Sequence, residues 1–139
     1  MEGKPIPRAK YVLICDDIRE EKSNKIILVG LYANKILLDS VPGLIPKLCI
    51  RICFDLSRPY ADTFDIAIRK PDGVEIGPFT IKIPPPVDEF LESSINLNIV
   101  PFPLESEGTY EILAREEGQE EKVGRFGVQS LQVPRGKPS

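Results

Sequence analysis

The amino-acid sequence predicts an all-β fold, a two-sheet β-sandwich of about eight or nine strands. Three observations predict it. Fourteen prolines and ten glycines divide the 139 residues into short segments rich in Ile, Leu, Val, Phe and Tyr. No segment repeats its apolar residues with the helical period of about 3.6, whereas several alternate as a strand does. These segments also recur at the spacing typical of sandwiches, although a closed, even-stranded barrel competes.

Two nearly continuous apolar runs open the chain, at residues 10–16 and 25–32. Continuous apolar strands are typical of sheets that are covered on both faces. The charged segment between the two runs is predicted to be a hairpin loop, and Gly30 is predicted to mark a bulge. The next strands are predicted at residues 34–38 and 47–55.

The strand predicted at residues 47–55 determines how two of the three cysteines are placed. Its apolar residues alternate with Cys49, Arg51 and Cys53, so both thiols lie on one face. Cys49 and Cys53 would then be about 13 Å apart, too far for one metal ion. With Cys15 the chain has three cysteines, an odd number, each inside an apolar run. We expect reduced thiols that pack as small hydrophobic side chains.

A tight turn, Pro71-Asp72-Gly73, follows a strand predicted at residues 63–70. Proline presets φ, aspartate can bond its own backbone, and glycine accepts a positive φ. Short strands are predicted next, at residues 74–76 and 79–83. The prolines at 84–86 then form a stiff connection between the sheets, because they cannot donate to a ladder. Recognition by a polyproline-binding groove is the functional alternative.

The C-terminal part of the chain is predicted to contain a strand with one solvent-exposed face and a final hairpin. One helical turn is predicted at residues 87–93, capped by Asp88, and a strand at 94–99 whose alternation indicates one solvated face. The hairpin pairs residues 109–115 with 121–128. The pattern Leu104-x-x-x-Gly108-x-Tyr110 before it is typical of a tyrosine corner, in which the hydroxyl pins the preceding connection. Otherwise Tyr110 is simply a core aromatic residue.

Length and composition indicate the domain organisation, the partner classes and the location of the chain. We expect one domain at residues 9–129, with flexible ends at 1–8 and 130–139. A net charge of −3 argues against a nucleic-acid partner. No apolar run approaches the roughly 20 residues of a membrane span, and the N-terminus lacks the apolar stretch of a signal peptide. A cytoplasmic location and no membrane partner are therefore expected.

The sequence contains no histidine. Ser-His-Asp and Cys-His arrangements and His-containing zinc sites are therefore excluded, and so is the commonest general base near neutral pH. We expect no catalytic residues, no metal site and no cofactor.

The densest polar cluster lies at residues 16–25. Its candidate binding residues are Asp16, Asp17, Arg19, Glu20 and Glu21. With Asp72 or Glu75 the aspartates could hold calcium, which takes about six to eight oxygen ligands. No D-x-D-x-D-G spacing is present, which favours a solvated hairpin loop instead. A second cluster, at residues 116–122, is predicted to be a charged turn, with an acidic patch for a basic partner as the alternative.

The string Cys15-Asp16-Asp17-x-Arg19-Glu20-Glu21 resembles the opening of a family of short uncharacterised bacterial proteins. Residues 45–48 and 64–73 are similar too, so the resemblance covers most of the chain. It implies a bacterial or phage-borne intracellular origin, and it brings no activity, cofactor or catalytic residue. At the level of the fold alone, the chain resembles an immunoglobulin-like sandwich or a related Greek key, which implies no particular function.

Three functions stay open. The leading hypothesis is an intracellular interaction module that binds a protein partner of unknown identity through a sheet edge or a set of loops. The second is a histidine-independent metal-binding enzyme that uses the carboxylates of Asp16 and Asp17. The third is a structural subunit that assembles with itself. The sequence does not predict the oligomeric state.

Overall fold

The computed structural model describes residues 4–22, 25–39, 41–86 and 89–131. These ranges contain twelve strands and no helix, which confirms the predicted all-β fold. Consequently, no helix able to cross a membrane occurs among them. The strands are β1 (Arg8–Cys15), β2 (Asp17–Glu20), β3 (Ile26–Val29), β4 (Lys35–Leu38), β5 (Gly43–Ile45), β6 (Leu48–Asp55), β7 (Thr63–Arg69), β8 (Glu75–Lys82), β9 (Glu92–Ile99), β10 (Phe102–Leu104), β11 (Gly108–Glu116) and β12 (Gln119–Ser130).

Two larger sheets form the predicted sandwich. One has three antiparallel strands in the order β1-β6-β9. The other has five strands in the order β4-β12-β11-β7-β8, antiparallel except for the parallel pair β12–β4. Phe54 of β6 contacts Phe64 of β7 edge-to-face across the core, with ring centroids 5.4 Å apart. Two short sheets, β2–β3 and β5–β10, complete the fold.

The core follows from the alternation along β6. Leu48, Ile50, Ile52 and Phe54 are fully buried and belong to the single hydrophobic core. Burying a large apolar side chain of this kind contributes about 1.5 to 3 kcal/mol. Partly buried apolar residues of β8 and β9, among them Ile95 and Leu97, pack at the margin of the same core. The core side chains are therefore fully buried on β6 and only partly buried at Ile95 and Leu97 of β9.

Three of the twelve strands, β2, β5 and β10, are absent from the sequence prediction. The prediction of a hairpin loop from Asp16 onward is wrong, because β2 pairs with β3 from Asp17↔Val29 to Glu20↔Ile26. Main-chain pairing in an exposed two-stranded ribbon needs no apolar face, so the charged sequence of β2 gave no strand signal. Residues 23–24 lie outside the described ranges. The two short strands predicted between residues 74 and 83 are one strand, β8.

The turn between β7 and β8 has the predicted chemistry. Gly73 adopts a φ of 90° and donates its N–H to the carbonyl of Lys70 at 2.9 Å. The carboxylate of Asp72 accepts the N–H of Val74 at 2.9 Å. Each residue thus has the role that its type suggests, which confirms the turn.

The tyrosine corner before β11 is also present. The hydroxyl of Tyr110 donates to the carbonyl oxygen of Ser106 at 2.9 Å, while its ring is fully buried. That ring stacks on Phe126 of β12 at a centroid distance of 5.2 Å. Tyr110 is therefore both a core aromatic residue and the anchor of the connection that precedes its strand.

The N-terminal stretch that was expected to be flexible is bonded to the fold from residue 4 onward. Ile6 is buried and donates its N–H to the side-chain oxygen of Gln119, and the carbonyl of Pro5 accepts the N–H of Ala61. Residues 1–3 and 132–139 lie outside the described ranges. So does the start of the helical turn predicted at residues 87–93, whose last two residues belong to β9.

Replacement of Tyr110 by phenylalanine should lower the free energy of unfolding by about 1 to 2 kcal/mol, because it removes the hydrogen bond between a buried tyrosine and the main chain of Ser106. Chemical denaturation monitored by circular dichroism measures the effect. Tyr60→Phe is the matched control, since the hydroxyl of Tyr60 makes no hydrogen bond within the described ranges; it should cost less than about 0.5 kcal/mol. Equal losses in the two variants would contradict a stabilising corner.

Candidate functional site

The side of the three-stranded sheet that faces away from the core carries thiols and polar groups. Cross-strand register arranges it in three rows. We call this surface the Arg51 face; its rows are Cys15–Cys49–Asn98, Leu13–Arg51–Asn96 and Tyr11–Cys53–Ser94. Side-chain hydrogen bonds between row neighbours show that they share one face: the thiol of Cys49 donates to Asn98, and Arg51 donates to Asn96.

The cysteines of this face are structural. All three are free and buried, as the sequence predicts. The thiol of Cys49 donates to the side-chain oxygen of Asn98 at 2.9 Å, and that of Cys15 to the carbonyl of Asp17 at 3.4 Å. Burial raises the pKa of both Cys15 and Cys49. Both thiols are therefore protonated near neutral pH, the form in which a thiol is a poor nucleophile.

Arg51 lies in the middle of the face and lacks a counter-charge. Its Nη1 donates to the side-chain oxygen of Asn96 at 2.8 Å. Its Nε is buried with no hydrogen-bond partner, and no carboxylate in the described part of the chain forms a salt bridge with it. A guanidinium offers five N–H donors, and arginine is seldom buried without a partner. Within the described ranges, the bond to Asn96 is therefore the one side-chain hydrogen bond that Arg51 donates.

Within the described ranges, alternate residues of β9 have no main-chain partner. Leu56 donates its N–H to the carbonyl of Leu91 at 2.8 Å, and this register continues without a shift to the pair Leu48↔Ile99. In an antiparallel pair, hydrogen-bonded positions recur at every second residue. The odd-numbered residues of β9 therefore bond to β6. The N–H and C=O groups of the even-numbered residues point away from it, namely those of Glu92, Ser94, Asn96 and Asn98.

The other edges of the two larger sheets have features that prevent pairing with a further strand. The outer edge of β8 contains Pro78, and β4 has only four residues, beginning with Lys35. On the outer side of β1, Tyr32 donates its N–H to Ile14, and the register shifts after Ala9. Proline, lysine, short length and irregular register all protect edges. β9 has eight regular residues and none of these protections.

The sequence-predicted site lies at one end of the Arg51 face, where β1 turns into β2. The hydroxyl of Tyr32 donates to the carboxylate of Asp16 at 2.6 Å. The carboxylate of Asp17 accepts Nζ of Lys47 at 2.6 Å and Nε of Arg19 at 3.3 Å. The structure thus brings three of the five predicted residues to this corner. The other two, Glu20 and Glu21, are exposed farther along the chain.

Two titratable groups of this corner, Asp17 and Tyr32, have pKa values shifted away from the neutral range. The hydrogen bond from Lys47, and then that from Arg19, lowers the pKa of Asp17. Burial, followed by the hydrogen bond to Asp16, raises the pKa of Tyr32 to about 12. Asp17 is therefore charged and Tyr32 protonated across the neutral range. Neither group is suited to proton transfer near neutral pH.

The calcium alternative finds few free ligands. Of the two additional ligands considered from the sequence, Asp72 accepts the N–H of Val74. Glu75 accepts Nη1 of Arg115 at 2.6 Å and also contacts Arg69. The hydrogen bond from Arg115 is the main reason that the pKa of Glu75 is lowered. Within the ranges that the structure describes, no group of three His, Cys, Asp or Glu residues is placed to hold a metal ion.

Sequence reasoning missed an ion-pair network on the five-stranded sheet. Arg115 of β11 lies between Glu75 of β8 and Glu120 of β12, whose carboxylate accepts its Nε at 2.7 Å. Arg69 of β7 also lies within 3.3 Å of both glutamates. Glu120 belongs to the charged cluster at residues 116–122, so part of that cluster is paired within the protein. Only the register of four strands brings these residues together, and single-strand patterns do not reveal it.

Gly30 shapes the corner, and its replacement tests the packing there. Gly30 has a φ of 66°, and a Cβ would lie 2.1 Å from a carboxylate oxygen of Asp16. Gly118 is a matched control, because its φ is 81° and a Cβ there would meet nothing.

Gly30→Ala should reduce the free energy of unfolding by about 1 to 2 kcal/mol more than Gly118→Ala does, since displacing Asp16 also breaks its bond to Tyr32. Denaturation of both variants measures the difference. Equal effects would show that the corner does not depend on this close approach.

Comparisons with known proteins give a family without an assigned activity. No curated protein and no solved structure matches the chain. The model of a family of unknown function matches residues 10–129, which include both sheets of the sandwich apart from the first and last few residues. The chain therefore belongs to DUF6941, a family of unknown function.

Proposed function

We propose that the chain is a protein-binding module that takes up an extended segment of a partner protein as an additional strand on β9. The observation that carries this proposal is the free edge of β9, eight regular residues long and without a protective proline, lysine or bulge. Such an edge is a ready template for another strand, and natural proteins usually block it. Strand addition at an exposed edge is a common mode of peptide recognition.

The edge supplies both affinity and selectivity for an extended segment. Four residues of β9 present unpaired N–H and C=O groups that an added strand would pair. Side chains of that strand would alternate between the two sides of the sheet. On one side they would meet Ile95 and Leu97, which are only partly buried, and on the other the Arg51 face. The expected partner segment therefore alternates apolar and polar residues.

A second copy of this chain fits the edge less well. Two-fold pairing of β9 with itself would place two Arg51 residues on one continuous face. They would be three strand spacings apart, about 14 Å, with no carboxylate on the rows between them. A different protein that supplies negative charge complements the face better. The metal-dependent alternative has less support, because Asp16 and Asp17 are already engaged by Tyr32 and Lys47.

Ser94→Pro tests strand addition directly. Ser94 directs its N–H away from β6, so proline removes no bond of the sheet while it blocks the outer edge. Peptides selected on the wild-type protein from a phage-displayed random library serve as the probe, with affinity measured by calorimetry. We expect Ser94→Pro to bind them at least about tenfold more weakly than Ser94→Ala, which keeps the N–H.

Hydrogen exchange of the wild-type protein gives a second measurement that needs no variant. A bound peptide should protect the amides of Ser94, Asn96 and Asn98. Selected peptides that bind Ser94→Pro and Ser94→Ala equally, or that leave these amides unprotected, would overturn the proposal. A wild-type dimer that Ser94→Pro converts to a monomer in light scattering would also overturn it, since a second copy would then occupy the edge.

A further inference from the structure

We propose that Arg51 selects the partner by binding a carboxylate: the segment added to β9 carries an acidic residue opposite Asn96, and the Arg51 guanidinium holds its side chain. This inference rests on the proposed function, because it specifies the chemistry of the segment that the edge takes up. It makes Arg51 a specificity-determining residue and the partner an acidic, extended peptide.

Arg51 has N–H donors to which an incoming carboxylate could bind. Arg51 spends one N–H on Asn96, and its Nε is buried without a partner. Carboxylates bind guanidinium groups through two parallel hydrogen bonds, which would use the donors left free here. The Nη groups, which are not among the buried unpaired atoms, are the donors that an incoming carboxylate would meet.

The neighbours of Arg51 also offer donors rather than acceptors. The side-chain oxygen of Asn96 is occupied by Arg51, and that of Asn98 by the thiol of Cys49. Their amide groups remain as N–H donors beside the edge. None of the three rows contains a carboxylate. Of the acidic residues beyond the rows, Asp17 is engaged by Lys47 and Glu92 by Lys10, while Asp55 in the next row accepts the N–H of Ser57.

The geometry places an incoming side chain within reach. Arg51 lies on β6, and its guanidinium already extends to β9, where it bonds the side chain of Asn96. A strand added to β9 would lie about 4.8 Å farther out. The residue opposite Asn96 would exchange both main-chain bonds with it and would share its face. A glutamate at that position meets the guanidinium over the shorter Asn96 side chain.

A double-mutant cycle between peptide and protein tests the inference. The probes are selected library peptides and copies in which each glutamate or aspartate is replaced by its amide. The proteins are wild type, Arg51→Gln and Arg51→Lys, with Arg58→Gln as the control for general electrostatic attraction, since Arg58 is exposed and lies past the end of β6, outside the three rows. Denaturation of each variant establishes that it is folded.

One amide replacement should weaken binding to the wild-type protein and to Arg58→Gln at least about tenfold, yet hardly change binding to Arg51→Gln. Arg51→Lys should lie between, because it keeps the charge and loses the two-pronged geometry. Equal losses in wild type and Arg51→Gln at every acidic position would overturn the role of Arg51, and so would selected peptides without acidic residues.

The two proposals fail in different ways. If amide replacement does not depend on Arg51 while Ser94→Pro still abolishes binding, strand addition stands and the carboxylate site is wrong. The opposite result is that the coupling to Arg51 persists while Ser94→Pro and Ser94→Ala bind the peptide equally. The peptide would then lie across the Arg51 face without pairing with β9, and the proposal of strand addition would be wrong.

Discussion

A β-strand directs its main-chain N–H and C=O groups alternately to its two sides, and the groups on each side require hydrogen-bond partners. The three-stranded sheet depends on how each of its strands meets this requirement. β6 satisfies it completely, with β1 on one side and β9 on the other. β1 satisfies it in part through Tyr32, which bonds Ile14 on the side away from β6. β9 has only β6 as a neighbour in the described structure. The unpaired half of its backbone is thus a consequence of the topology rather than of a local irregularity.

The same alternation decides what surrounds this edge. Even-numbered residues of β6 form the core, so odd-numbered residues, including Arg51, face outward. The residues of β9 with free main-chain groups are those whose side chains share the outward face. Unused backbone groups and unused arginine donors consequently meet at one place. The extended acidic segment that we propose would satisfy both sets, whereas the aspartate corner nearby is already neutralised by Lys47 and Arg19.

Much of this fold could be predicted from local chemistry. The turn at residues 71–73, the alternation at residues 94–99 and the anchoring role of Tyr110 each depend on residues close in sequence, and the structure contains all three. The ribbon from β2 to β3 was missed because exposed pairing leaves no apolar pattern. The bonds from Arg51 to Asn96 and from Arg115 to Glu75 join residues 45 and 40 positions apart, which only strand register brings together. The aspartates at 16 and 17 were recognised as a cluster, but the sequence does not show that Tyr32 and Lys47 occupy them.

Native-state hydrogen exchange along β9 of the free protein tests the central claim most directly. The account predicts an alternating profile. The amides of Ile95, Leu97 and Ile99 bond to β6 and should exchange slowly, near the limit set by global unfolding, whereas those of Ser94, Asn96 and Asn98 should exchange rapidly. Uniform slow exchange across all six amides would contradict the account, since it would mean that the outer edge of β9 is already paired.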